Sequence, residues 1–85
     1  IPFGSLVELG IIKPGTTIFD NKKKISAKIM ADGSIKHDQT EGSIHKVAAT
    51  ILGAESCNGW TYWYYNLNGR AVPIDYLRQR LISNN

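Results

Sequence analysis

Cysteine is almost absent from this sequence: Cys57 stands alone among 85 residues, so no internal disulfide can form. The two histidines, His37 and His45, are isolated from it, and no structural zinc set is recognisable. A reducing, intracellular compartment is the simplest expectation. Long apolar runs are missing as well, which excludes a membrane span and a signal peptide from the expected organisation. There is no phosphate loop, no Gly-x-Gly-x-x-Gly and no nucleophile elbow, so the usual nucleotide and acyl-transfer signatures are lacking. His45 and Cys57 are the one conceivable pair of base and thiol, and no third group to orient them is evident.

What remains is the composition of a folded module, with 42% hydrophobic residues and no repeat, linker or low-complexity segment. A chain of this size makes one domain with one small core and has little material left for a catalytic pocket. It begins at Ile1 without a methionine, so a fragment of a longer protein is expected. The net charge of +3 is a mild excess, compatible with nucleic-acid binding and equally with an ordinary domain.

Local signals give an element order. Ser5 and Glu8 have the spacing of a capping box, and Gly10 stops the short helix that should follow. After the Pro14-Gly15 turn, strands are expected over 16–20 and 25–30, the second with Ile25, Ala27 and Ile29 on one face. Lys22-Lys23-Lys24 between them reads as a solvated turn or as weak attraction to DNA. Asp32-Gly33 predicts a two-residue type I′ hairpin into a third strand through Ile35 and His37, followed by a polar stretch over 38–42. Ser43 then caps a helix whose stripe is Ile44, Val47, Ala48, Ile51 and Leu52, closed by Gly53. Asn58-Gly59 opens an aromatic strand from Trp60 to Tyr65, and Asn68-Gly69 turns it into a strand over 70–72. Pro73 starts the last helix, with Ile74, Leu77 and Leu81 facing the core and 83–85 a polar end.

Five of the eight aromatic residues fall in the six positions from Trp60 to Tyr65. Alternation along a strand would turn at least two of these rings away from the core, toward bases or a partner. Asn58 and Trp60 flank a glycine at an expected hairpin tip, where Asn can read a base edge and Trp can stack; a plain turn with a core anchor fits equally well. Ser43, His45 and Lys46 sit in the first turn of a helix, which suits a phosphate oxygen, although a simple N-cap explains them too. Arg78 borders the apolar face of the last helix and must pair with a carboxylate, Asp75 or Glu55, or reach a phosphate.

Gly42-Ser43-Ile44-His45, Cys57-Asn58-Gly59-Trp60-Thr61-Tyr62-Trp63 and Pro73-Ile74-Asp75-Tyr76-Leu77-Arg78 together resemble the C-terminal domain of the cell-cycle-regulated DNA adenine methyltransferases of alphaproteobacteria. The general name is the restriction-enzyme-adenine-methylase-associated domain. Leu9 to Thr16 and Ala31-Asp32-Gly33 fit it too, so the resemblance covers almost the whole chain. It implies a DNA-binding role beside homodimeric enzymes that methylate adenine N6, in the cell-cycle group at GANTC, with S-adenosylmethionine. The family's catalytic and cofactor motifs lie in a preceding domain and none appears here, so no cofactor is expected in this domain. The family's polar and aromatic positions fall on Ser43, His45, Asn58, Trp60 and Arg78.

The resulting expectation is an α+β domain with a small, mainly antiparallel sheet of about five strands and three helices, in the order α-β-β-β-α-β-β-α. Arg78 and Lys46 would hold phosphates, Ser43 and its helix start would position the backbone, and Asn58 and Trp60 would contact exposed bases. The remaining rings would be a scaffold for that tip. Expected partners are DNA, a methyltransferase catalytic domain and a second copy, in the bacterial cytoplasm beside the nucleoid. The alternative is a protein-interaction or dimerisation module that uses its surplus rings.

Overall fold

The computed structural model describes residues 1–83; Asn84 and Asn85, read above as part of a polar end, lie outside the described residues. Helix α1 (Phe3–Glu8) is followed by strands β1 (Thr17–Phe19), β2 (Ser26–Ile29), β3 (Ile35–His37) and β4 (Thr40–Gly42). Helices α2 (Ile44–Leu52) and α3 (Gly59–Tyr62), strands β5 (Tyr64–Leu67) and β6 (Arg70–Pro73), and helix α4 (Asp75–Ser83) complete the chain. All six strands join one sheet in the order β4-β3-β2-β1-β5-β6, and every pairing is antiparallel. The α+β class is as expected, but the count of about five strands and three helices is corrected to six and four among the described residues.

Two elements account for the difference. Thr40-Glu41-Gly42 was read as part of a polar stretch; it forms β4 because its register against β3 pairs Ile35 with Gly42 and His37 with Thr40. A three-residue edge strand of Thr, Glu and Gly alternates half-buried with exposed but holds no apolar residue by which that alternation could be read. The expected aromatic strand is split, because Asn58 caps a helical turn and does not turn a hairpin: its Oδ1 accepts from Trp60 N at 3.0 Å.

Two turns also differ from expectation. The Ser5–Glu8 capping box does not form, since α1 starts earlier, with Pro2 at its N-cap and the Ser5 amide already donating to Pro2 O. Burying Phe3 together with Leu6 and Val7 on one face draws the helix upstream. At 30–34 only Gly33 has positive φ (88°), Gly33 N donates to Met30 O, and Met30 N donates to Ser34 O. This is a three-residue hairpin connection, not the expected type I′ pair, and Gly33 is needed twice over. A Cβ there would sit 2.6 Å from Gly4 Cα, where α1 crosses the hairpin. Asn68-Gly69, at φ 52° and 87°, does make a type I′ turn between β5 and β6.

One face of the sheet carries the core. Ile18, Ala27, Ile29 and Ile35 point to it and meet Leu6, Ile44, Val47, Trp63 and Ile74. Full burial of an aliphatic side chain of this size is worth about 1.5–3 kcal/mol, so Ile44 and Val47 make α2 the main cover. The expected α2 stripe holds except at its end, where Leu52 is 57% exposed and Ala49 is buried in its place. The opposite sheet face is bare: Thr17, Ser26, Lys28 and Lys36 are exposed along it.

Candidate nucleic-acid interface

The segment from β4 to β5 builds the candidate site. Ser43 caps α2, its hydroxyl accepting from Lys46 N at 3.0 Å, and Gly53 closes the helix. Gly59 opens α3 directly against the start of α2: a Cβ at Gly59 would lie 2.5 Å from Ile44 C and 2.6 Å from Ile44 O. Only a glycine allows this approach. Two hydrogen bonds fasten it, from Gly59 N to His45 Nδ1 at 2.9 Å and from the buried Trp63 Nε1 to Ile44 O at 3.0 Å.

These contacts leave an open depression of about 390 Å³ beside the first turn of α2, lined by Ser43, His45, Lys46, Glu55, Ser56 and Cys57 among others. Ser43, His45 and Lys46 are exposed, and the aliphatic stem of Lys46 runs over Gly42. Asn58 is exposed next to Gly59; its carboxamide oxygen is committed to Trp60 N, and its NH2 carries no hydrogen bond among the described residues. His45 Nδ1 is occupied by the Gly59 amide, so this nitrogen is not a base aimed at Cys57. The depression is open, has no Phe, Tyr or Trp in its lining and offers His45 alone as a flat ring, so the residues present do not fit an S-adenosylmethionine pocket.

The structure brings Ser43, His45 and Lys46 together and holds Asn58 beside them, but it places the other two candidates differently. Trp60, expected exposed at a hairpin tip, is only 6% exposed. In the turn of α3, Trp60 and Trp63 are three residues apart and both are driven inward. Phe3 meets the Trp60 ring edge-on at 5.9 Å, and the Arg78 guanidinium covers it at 4.6 Å. Arg78 does not line the depression. Its Nη2 stands 2.5 Å from Asp75 Oδ1, which selects Asp75 over Glu55 as the internal partner. That contact is close but poorly aligned, and both Asp75 Oδ1 and Arg78 Nε are buried without a satisfactory hydrogen bond.

Among the other rings, Trp63 and Tyr65 are buried, while Tyr62 and Tyr64 are half-buried. The polar residues at the start of α2 are where the sequence predicts them, whereas the contact role of Gly59 is hidden behind its turn-like neighbour Asn58.

A capped helix clamped across an antiparallel sheet, with polar side chains collected at the helix start, is the arrangement that the described residues form. The chain belongs to the family described as restriction enzyme adenine methylase associated, whose model matches residues 1–85. It is similar to the Type II methyltransferase M.HinfI of Haemophilus influenzae, with 32% identity over 78 residues. That match takes in 92% of this chain and 22% of the relative, so the chain spans about a fifth of that enzyme's length. No helix among the described residues is long and apolar enough to cross a membrane.

Proposed function

We propose that this chain is the DNA-binding accessory domain, placed C-terminally, of a DNA adenine-N6 methyltransferase of the cell-cycle-regulated, GANTC-type group. The parent would use S-adenosylmethionine in a separate catalytic domain, act in the cytoplasm at the nucleoid and work as a homodimer. The observation that carries the reading is the clustering of Ser43, His45 and Lys46 in one depression, with Asn58 tied to it through the Gly59–His45 hydrogen bond. Lys46 supplies charge for a phosphate, Ser43 and the helix start orient the backbone, and the free NH2 of Asn58 is the donor nearest a base edge. Arg78 is a second phosphate ligand, its guanidinium held over the Trp60 ring. Trp60 supports Arg78 from below, and no base stacking is assigned to it. A domain that grips disturbed strand lowers the cost of extruding the target adenine.

Fluorescence anisotropy of labelled duplex with Lys46→Glu and His45→Ala variants tests this, with circular dichroism as the control on the fold. Weakened binding in both is expected; unchanged affinity in both sinks the reading.

A second reading, a protein-interaction or dimerisation module, has its own observation. Ile11, Leu77 and Leu81, with Arg80 at the side, line a mainly apolar groove of about 210 Å³, and Leu9, Tyr76 and Ile82 are exposed on the surface. Association through such a groove would resist added salt, whereas DNA binding weakens steeply with it.

A further inference from the structure

Half of the basic residues, Lys22, Lys23, Lys24, Lys28 and Lys36 out of ten Lys and Arg, fall within the β1–β3 ribbon, and all five are exposed. Lys28 and Lys36 are direct cross-strand partners. Both alternate away from the buried Ala27, Ile29 and Ile35, so they project from the bare face of the sheet. Opposed like charges at this position are destabilising.

Of the nearby carboxylates, Glu41 alone stands cross-strand from one of the pair, Lys36, and no ion pair closes between them among the described residues. Asp20 Oδ1 accepts from Lys24 N and Ile25 N, at 2.7 and 3.1 Å, and Asp32 is bound by Ser34. Glu41 pairs with Lys36 from the outer side, and Asp38 stands by His37 at 3.6 Å. Among the described residues, none of the five lysines is in an ion pair with a carboxylate. Thr17, Ser26, Lys28, Lys36 and His37 line a polar concavity of about 250 Å³, with the exposed Asp38 at the His37 end of it.

We propose that this bare face is a second nucleic-acid surface, which takes the phosphate backbone without reading sequence. The proposal rests on the DNA-binding reading of the domain. Lys24 lies in the bend that leads into β2 and Lys28 lies within β2, so the four residues of chain between them span at most about 13–14 Å, over which one DNA strand presents roughly four phosphates. Charge complementarity therefore favours a polyanion with regularly spaced phosphates. The depression at α2 lies on the helix-covered side and this face on the other, so a single straight duplex does not touch both. The domain engages either a bent or opened duplex or a second DNA segment.

A salt titration of duplex affinity decides it, comparing the unaltered chain with the double variant Lys28→Gln/Lys36→Gln, the double variant Lys28→Arg/Lys36→Arg, and Lys46→Glu. The glutamine variant should bind about tenfold more weakly, with a log–log salt slope shallower by about two units, while the arginine variant keeps both. The unfolding midpoint of the glutamine variant should hold or rise, since a repulsive pair has gone. An unchanged slope in the glutamine variant overturns the second surface, even where Lys46→Glu weakens binding and the general reading stands. A loss seen for heparin but not for DNA overturns it as well. Failure of the unaltered chain to bind duplex defeats both ideas together.

Discussion

The Gly59 amide donates to His45 Nδ1 across 2.9 Å, joining two helices that are fourteen residues apart at this contact. The bond exists only because the Gly59 Cα lies against the Ile44 carbonyl. A residue of the candidate site and a packing contact of the core are thus two sides of one junction.

Gly59→Ala should therefore be among the most damaging small substitutions. The added Cβ meets backbone at 2.5 Å, which no side-chain adjustment relieves. A loss of about 1–3 kcal/mol or more is expected in denaturant unfolding. A midpoint equal to that of the unaltered chain would show that the junction is looser than described.

Trp60→Ala removes a buried ring between Phe3 and Arg78 and should cost about 3–5 kcal/mol, a large part of the stability of a domain this small. Trp60→Phe keeps an aromatic platform and should cost much less. If thermal unfolding found Trp60→Ala nearly neutral, the ring could not be the support under Arg78. Weakened DNA binding in the alanine variant alone would not distinguish lost contact from lost fold.

Tyr65 has a buried hydroxyl without a hydrogen-bond partner among the described residues. Tyr65→Phe should be neutral or stabilising, by up to about 1 kcal/mol, because an unsatisfied polar group is removed at little change in shape. Burial, followed by the neighbouring Tyr76, raises the pKa of Tyr65 above its ordinary value of 10.0. The raised value means a contribution that is complete below pH 10 and declines as pH rises through the folded value. The phenylalanine variant should lose less stability in that alkaline range.

Asp32 behaves in the opposite sense. The Ser34 hydroxyl and then the Ser34 amide donate to its carboxylate and hold the pKa below the ordinary 3.8. The associated stability is present above that ordinary value and is lost as pH falls through the lower folded one. Asp32→Ala should be less stable than the unaltered chain at neutral pH, with the gap closing in acid. A gap that is constant with pH would rule out the carboxylate as its source.

Helix α2 was legible because cap, stripe and stop agree: Ser43, the apolar residues from Ile44 and Gly53 all point to one element. Asn68-Gly69 was legible for the same local reason. Strand β4 was not, since its stability comes from partners on β3 and not from its own polar residues. Asn58-Gly59 misled because asparagine serves both turns and helix caps, and only contact with Ile44, far away in sequence, decides between them. The same ambiguity put Trp60 on the surface. Its burial follows from that one helical turn and could not be read from ring content.

Helix α4 contributes no fully buried side chain: Leu77 and Leu81 are half-buried, and the anchoring Ile74 precedes it. An element held this way opens ahead of the sheet, so its amides should exchange with solvent sooner than those of α2. Arg78 thus rides on the most detachable helix of the domain. A ligand that clasps its guanidinium would hold that helix on the domain, so binding there should slow the exchange of the α4 amides.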